Sequence, residues 1–168
     1  MKNKFENLIL DEERALYAAQ DAEIVNCRFE GPADGESALK ECRRVQVENC
    51  DFLLRYPFWH GKNITVYDSV VKGEYLAWYS ENLRLVHCKI IGTQPFCYAK
   101  NLILEDCEMV DCDLSFENTT VQATVKGEIT SVKNPAGGSI TADRIGEIIL
   151  DEYQWKLAPC TITELEKK

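Results

Sequence analysis

No stretch of this chain approaches the roughly 20 apolar residues that a membrane-spanning helix needs. Its opening, MKNKFENLILDEERA, has no apolar run ahead of the acids and no small-residue cleavage site. The expectation is a cytoplasmic protein with no signal peptide and no membrane contact. Positive charge is also scarce: 19 Lys and Arg stand against 28 Asp and Glu, giving a formal net charge of −9. That balance disfavours nucleic acid and anionic membranes as partners. Metal-site spacing is missing, because none of the 8 cysteines belongs to a CxxC pair and there are only 2 histidines. Neither a metal nor another cofactor is expected. A phosphate loop, a dinucleotide fingerprint and a nucleophile elbow are absent as well.

What the chain does have is a repeat. Asn63, Asn82 and Asn101 stand nineteen residues apart and open the segments NITVYDSVV, NLRLVHCKI and NLILEDCEM; looser copies upstream read DAEIVNCRF and RVQVENCDF. A fixed period of this kind signals a solenoid, in which each repeat buries its apolar face only against its neighbours. The residue after each corner is Ala22, Val45, Ile64, Leu83 or Leu102, and two further on come Ile24, Val47, Val66, Leu85 and Leu104. Polar residues alternate with them, which reads as a strand with one buried face. A third inward column is Cys27, Cys50, Ser69, Cys88 and Cys107, and a fourth is Phe29, Phe52, Val71, Ile90 and Met109. The thiols of the third column act as small hydrophobes and are expected to be reduced. Gly31, Gly73 and Gly92 share a turn position suited to an unusual backbone angle. The last inward column is Leu16, Leu39, Phe58, Ala77 and Phe96.

Several strands and turns in nineteen residues leave no room for a helix. The pattern predicts an all-β fold, a right-handed single-stranded parallel β-helix in which equivalent residues lie about 4.8 Å apart along the axis. The corner asparagines would then form a side-chain ladder. A leucine-rich repeat is the rival, but Gly61, Ser80 and Ala99 occupy the positions where it needs another leucine. Residues 1–168 form one domain. The stretch GPADGESALKECRR, with Pro32, is a loop bulging from the stack, and VQATVKGEITSV and GSITADRIGEIIL are strands separated by NPAGG. The opening strand around Phe5 to Leu10 begins the stack, with Lys2 and Lys4 guarding its edge. Residues 151–168, with Trp155 and Pro159, form a C-terminal cap.

The segments GPADGESALKE, LRYPFWH, YSENLRL, GTQPFCYAKNL and DCDLSFE resemble an uncharacterised bacterial family, domain-of-unknown-function family 3737. The resemblance covers nearly the whole chain. It implies a pectate-lyase-type right-handed β-helix and carries no activity with it. Family members are typically longer. Here the FWH coil runs straight into what reads as a later one, GKNITVYDSVV, as though whole coils had been lost. The DD, GHG and RIK motifs of polygalacturonases are absent, and so is a calcium-binding aspartate cluster with a catalytic arginine as in pectate lyases.

Chemistry is expected on the outward columns. One holds Tyr17, Lys40, Trp59, Trp78 and Cys97; the next holds Ala18, Glu41, His60, Tyr79 and Tyr98; three positions before the first of these columns come Arg14, Ser37, Tyr56, Tyr75 and Gln94. Stacked rings edged by Lys40, Glu41, His60 and Arg55 suit the flat faces of sugars, and the basic groups, with Arg43 and Arg44, suit a small anionic ligand. The structural alternative is an aromatic ladder covered by the Pro32 loop or by a partner subunit. A second column runs Asn26, Asn49, Asp68, His87 and Asp106. Asp68 and Asp106 should lie roughly 9.6 Å apart at the strand spacing, near the upper end of the about 6.5–9.5 Å that separates the carboxyl groups of an inverting glycosidase. If the chain were an enzyme, hydrolase or lyase chemistry on a polysaccharide would be the expectation. Two functions stay open: a carbohydrate-binding or degenerate carbohydrate-active protein, and a non-enzymatic scaffold using the aromatic face as a protein or homo-oligomer interface.

Overall fold

The computed structural model describes residues 3–30 and 37–166. The turn role of Gly31, the loop around Pro32 and the edge role of Lys2 fall outside those residues. Within them there is no helix, and the chain winds as a β-solenoid. One face stacks β1 (Asn3–Glu6), β3 (Gln20–Val25), β5 (Arg43–Glu48), β7 (Lys62–Tyr67) and β9 (Glu81–Val86). A second stacks β2 (Ile9–Leu10), β4 (Arg28–Glu30), β6 (Asp51–Leu53), β8 (Val70–Lys72) and β10 (Lys89–Ile91). β11 (Leu102–Val110) runs through both faces without a break and so joins the two ladders into one sheet. β12 (Thr120–Lys133), β13 (Gly137–Ile149) and β14 (Cys160–Glu164) continue the stack.

Pairing is parallel throughout, and the register steps by nineteen residues from Val45 to Ile64 to Leu83. The repeat read from the sequence is therefore the coil itself. Ile24, Val47, Val66, Leu85 and Leu104 are all at most 1% exposed. Phe29 and Phe52 stack at 4.5 Å with their planes 3° apart, and Phe96 lies over Phe116 at 5.9 Å. Each such side chain contributes roughly 1.5–3 kcal/mol by leaving water. Leu16, at the N-terminal end of its column, is only partly covered.

The thiol column is buried, and its cysteines are free. Each thiol donates to main-chain carbonyls: Cys50 Sγ to Glu48 O at 3.4 Å and Ile24 O at 3.6 Å, Cys88 Sγ to Val86 O and Val66 O, both at 3.5 Å. Ser69 fits the same slot because its hydroxyl donates to Tyr67 O at 2.8 Å and accepts from Cys50 N–H at 3.0 Å. Burial pushes the Cys50 thiol up to about 11 and those of Cys42, Cys97 and Cys112 up to about 12.

The glycines at the shared turn position serve two different ends. Gly92 has a φ of +135°, as the sequence suggested, whereas Gly73 is not left-handed. It is glycine because a Cβ there would sit 1.8 Å from Leu54 O of the neighbouring coil. The left-handed backbone on the third side of each coil was not foreseen. Tyr56, Phe58 and His60 all have φ near +60°, as do Tyr75, Ala77 and Tyr79, and Gln94, Phe96 and Tyr98 lie between 51° and 63°. Bulky residues rarely adopt that region. Here the burial of Phe58 and Phe96 and main-chain bonds to both adjacent coils hold them: Tyr56 N–H to Glu74 O and Phe58 N–H to Ala38 O, both at 3.0 Å.

The last coils end the regular corners. β12 and β13 follow the strands expected there, and the turn between them spans residues 134–136. Residues 151–159 lie against the stack. Asp151 and Asn134 exchange two hydrogen bonds, Trp155 N–H donates to Asn118 Oδ1 at 2.8 Å, and the Trp155 ring packs on Tyr98 at 5.6 Å.

Candidate functional site

The aromatic column is assembled as the repeat implied, but the facing sides of its rings are closed against each other. Trp59 and Trp78 stack at 5.5 Å with planes 4° apart, and Tyr56 and Tyr75 stack at 5.5 Å beside them. Both indole N–H groups are consumed by the main chain, Trp59 by Tyr75 O at 2.6 Å and Trp78 by Gln94 O at 2.8 Å. Rings stacked along the axis turn their faces to each other and leave edges for solvent. The stack covers the faces that Trp59 and Trp78 turn to each other, so the pair presents no continuous platform of open ring faces. Cys97, placed in the same outward column by the sequence, is buried instead, at 1% exposure. The more open stripe is one position along. His60 stacks on Tyr79 at 5.1 Å and Tyr79 on Tyr98 at 5.2 Å, and Tyr79 is 45% exposed.

Two of the basic groups around these rings are engaged. Arg44 forms a two-pronged pair with Asp21, at 2.6 and 3.1 Å, and the Arg55 guanidinium lies 5.9 Å from the Tyr56 ring centre. Glu41 accepts from Tyr17 O–H, and that bond raises the Tyr17 pKa. Lys40 is half-buried.

Asp68, His87 and Asp106 do come together. The imidazole spans the two carboxylates, with Nδ1 3.8 Å from Asp68 and Nε2 3.8 Å from Asp106. Those separations are too long for hydrogen bonds. All three residues sit at a left-handed corner, with φ between 50° and 54°, and their side chains are more than half exposed. His87 fills the space between the carboxylates that a substrate would need. The arrangement is a solvated polar column, continuous in kind with the Asn49 Nδ2 to Asn26 Oδ1 bond of 2.7 Å two coils earlier. Among the described residues no group of three or more His, Cys, Asp and Glu could hold a metal ion. Among the described residues no helix is long and apolar enough to cross a membrane.

A cleft of about 550 Å³ lies elsewhere, on the outer surface of the first face. Its wall is the corner ladder, in which Asn82 Nδ2 donates to Asn63 Oδ1 at 3.0 Å and Asn101 Nδ2 to Asn82 Oδ1 at 3.1 Å. Its floor carries the outward strand positions Thr65, Arg84, Ile103 and Gln122, which register with one another coil by coil. Arg84 makes a fork onto Glu105, at 3.1 and 2.9 Å, which holds the Glu105 carboxyl below its ordinary range and raises the Arg84 pKa. A carboxylate kept ionised in this way is a poor general acid. Sequence reasoning found the wall and missed the floor. The floor positions fall two after each corner Asn, but their identities share no pattern that would mark them.

Neither a curated protein nor a solved structure matches the chain. A family model described as "Protein of unknown function (DUF3737)" matches residues 3–64 and 58–163. The two stretches overlap on FWHGKNI, the coil at which the sequence reading placed the junction with a later repeat, and in a solenoid one coil can answer to two positions of a longer array. With nearly all of its length matched, the chain belongs to the DUF3737 family.

Proposed function

We propose that this protein is a non-enzymatic binding scaffold, a rigid solenoid that takes an extended ligand along its axis in the cleft over the first face. The observation that carries this reading is the Asn63–Asn82–Asn101 amide ladder, which presents the same donor and acceptor once per coil along one wall of the cleft. Catalysis has no comparable support. Asp68, His87 and Asp106 have side chains more than half exposed, with the imidazole between the two carboxylates, and Glu105 is tied to Arg84. Carbohydrate stacking on Trp59 and Trp78 is disfavoured by the way those rings cover each other.

The reading is tested by probing glycan and peptide arrays with the wild-type protein and with Ile103→Arg, which fills the cleft from an outward position. Retention that the variant loses, with no product detected by mass spectrometry after long incubation, is the expected result. Repeated turnover of a bound ligand would overturn it. A second reading, contact with another copy, is favoured by Leu150, Tyr153, Leu157 and Leu165, all at least 60% exposed near the C-terminal end of the stack. Light scattering on Leu157→Asp tests it, a fall in mass being the expected outcome.

A further inference from the structure

The charge content of the cleft is unlike that of the chain around it. Charged residues make up 28% of the protein, yet Arg84 is the one ionisable side chain in the cleft lining, and Glu105 neutralises it from the adjacent coil. The other polar lining groups are neutral: the amides of Asn63, Asn82, Asn101 and Gln122 and the hydroxyls of Thr65 and Thr120. An anionic ligand would find no cation without a partner there and would approach a protein of net charge −9.

The amides retain bonding capacity. Within the ladder Asn63 spends one oxygen lone pair, Asn101 one N–H and Asn82 one of each, whereas an amide carries two N–H donors and two acceptor sites. The unspent donors and acceptors recur at about the 4.8 Å strand spacing. Past Asn101 the column shrinks to Thr120, whose Oγ1 accepts from Asn101 N–H at 2.8 Å, and then to Gly137. The wall is therefore lowest at the C-terminal end of the ladder. Ile103 lies on the floor between Arg84 and Gln122 and provides one apolar surface among polar neighbours.

We infer that this cleft takes a neutral, hydroxyl-rich oligosaccharide, laid along the solenoid axis with the C–H face of one ring on Ile103 and its hydroxyls on Asn82, Asn101 and Gln122. The inference rests on the binding-scaffold reading and supplies its ligand class. A sugar ring matches both elements of the site, since it offers an apolar C–H face and a rim of groups that donate and accept. An extended peptide fits less well. It would seek free main-chain groups at a sheet edge, and along the middle of this face those groups are spent on coil-to-coil pairing.

The test is calorimetric titration of the wild-type protein with neutral gluco-, manno- and xylo-oligosaccharides of six units, and with an oligogalacturonate of equal length. Ile103→Arg, Gln122→Ala and Trp78→Ala are titrated in parallel, each first shown to unfold cooperatively. Binding of a neutral oligosaccharide, weakened at least about tenfold by Ile103→Arg and Gln122→Ala and little changed by Trp78→Ala, is the expected result. Preference for the oligogalacturonate overturns neutrality, and loss of binding only in Trp78→Ala overturns the cleft. No binding by any oligosaccharide, while an array peptide still binds in a manner sensitive to Ile103→Arg, sinks the ligand class and leaves the scaffold reading standing. Turnover of an oligosaccharide sinks the scaffold reading instead.

Discussion

Two ladders run along this stack on the same spacing, thiols inside and aromatic rings outside, and they tolerate change on opposite terms. From Cys27 to Cys107 the inner column holds small groups that donate to a main-chain carbonyl, so Ser69 stands in for cysteine between Cys50 and Cys88. The outer columns change from Lys40 to Trp59 to Trp78, and from Glu41 to His60 to Tyr79, while the backbone beneath them repeats. Interior position fixes size and bonding. Exterior position fixes only direction, and the rings stack because successive coils point them the same way.

The largest expected break in this contrast comes with alkali. Cys42, Cys97 and Cys112 carry thiols raised from 9.0 to about 12 by burial. The folded state therefore holds its protons where the unfolded chain has lost them. Their stabilisation is complete below about pH 9 and declines as pH rises toward about 12. At pH 11 each should cost roughly 2–3 kcal/mol, together comparable to the whole margin of a typical domain. Thiolate absorbance at 240 nm should appear together with loss of the β-sheet circular dichroism. Thiolate formation near pH 9 in a folded protein would show that these three buried sites are wet.

Cys88→Asp comes next. It places a carboxylate where the thiol bonds Val86 O and Val66 O with no cation near, and an unpaired buried charge should cost about 3–5 kcal/mol in urea unfolding. Trp78→Ala, on the outer ladder, should cost about 2 kcal/mol, made up of the ring contact with Trp59 and the bond to Gln94 O. A loss as large as that of Cys88→Asp would mean that the outer ladder is part of the core.

The smallest pair of effects should differ in sign. Ser80 Oγ is buried with no hydrogen-bond partner, so Ser80→Ala should gain up to about 1 kcal/mol by removing an unsatisfied hydroxyl. Ser69→Ala should lose about 1 kcal/mol, because that hydroxyl is doubly bonded. Thermal midpoints moving in the same direction for both would contradict the assignment.

The sequence was most legible where burial and period act together. The inward columns from Ala22 to Met109 and the asparagine corner could be read because every coil must present an apolar group to its neighbour at the same register. What escaped was set by contacts that the period does not encode. Phe58, Ala77 and Phe96 adopt a left-handed backbone that their own preferences oppose, so their identity gives no sign of it. The closing of the Trp59 and Trp78 faces depends on ring orientation, which the bonds to Tyr75 O and Gln94 O decide. The cleft floor was missed because Thr65, Arg84, Ile103 and Gln122 are unlike one another, and only their shared register brings them together.

The left-handed corners have a further consequence, for the route by which the chain folds. A left-handed residue other than glycine costs roughly 1–2 kcal/mol, and a single coil such as the one holding Tyr56, Phe58, His60, Asn63 and Asp68 carries five of them. No coil can recover that cost alone, because the compensating bonds go upward and downward: Phe58 N–H to Ala38 O on one side, His60 N–H to Trp78 O on the other. An isolated turn is thus locally disfavoured and becomes favourable only on an existing template. Growth should resemble crystal accretion, with a slow founding event among the central coils followed by rapid addition at either rim. The rim coils, bonded on one side only, should be the first to exchange their amide hydrogens and the first to peel away.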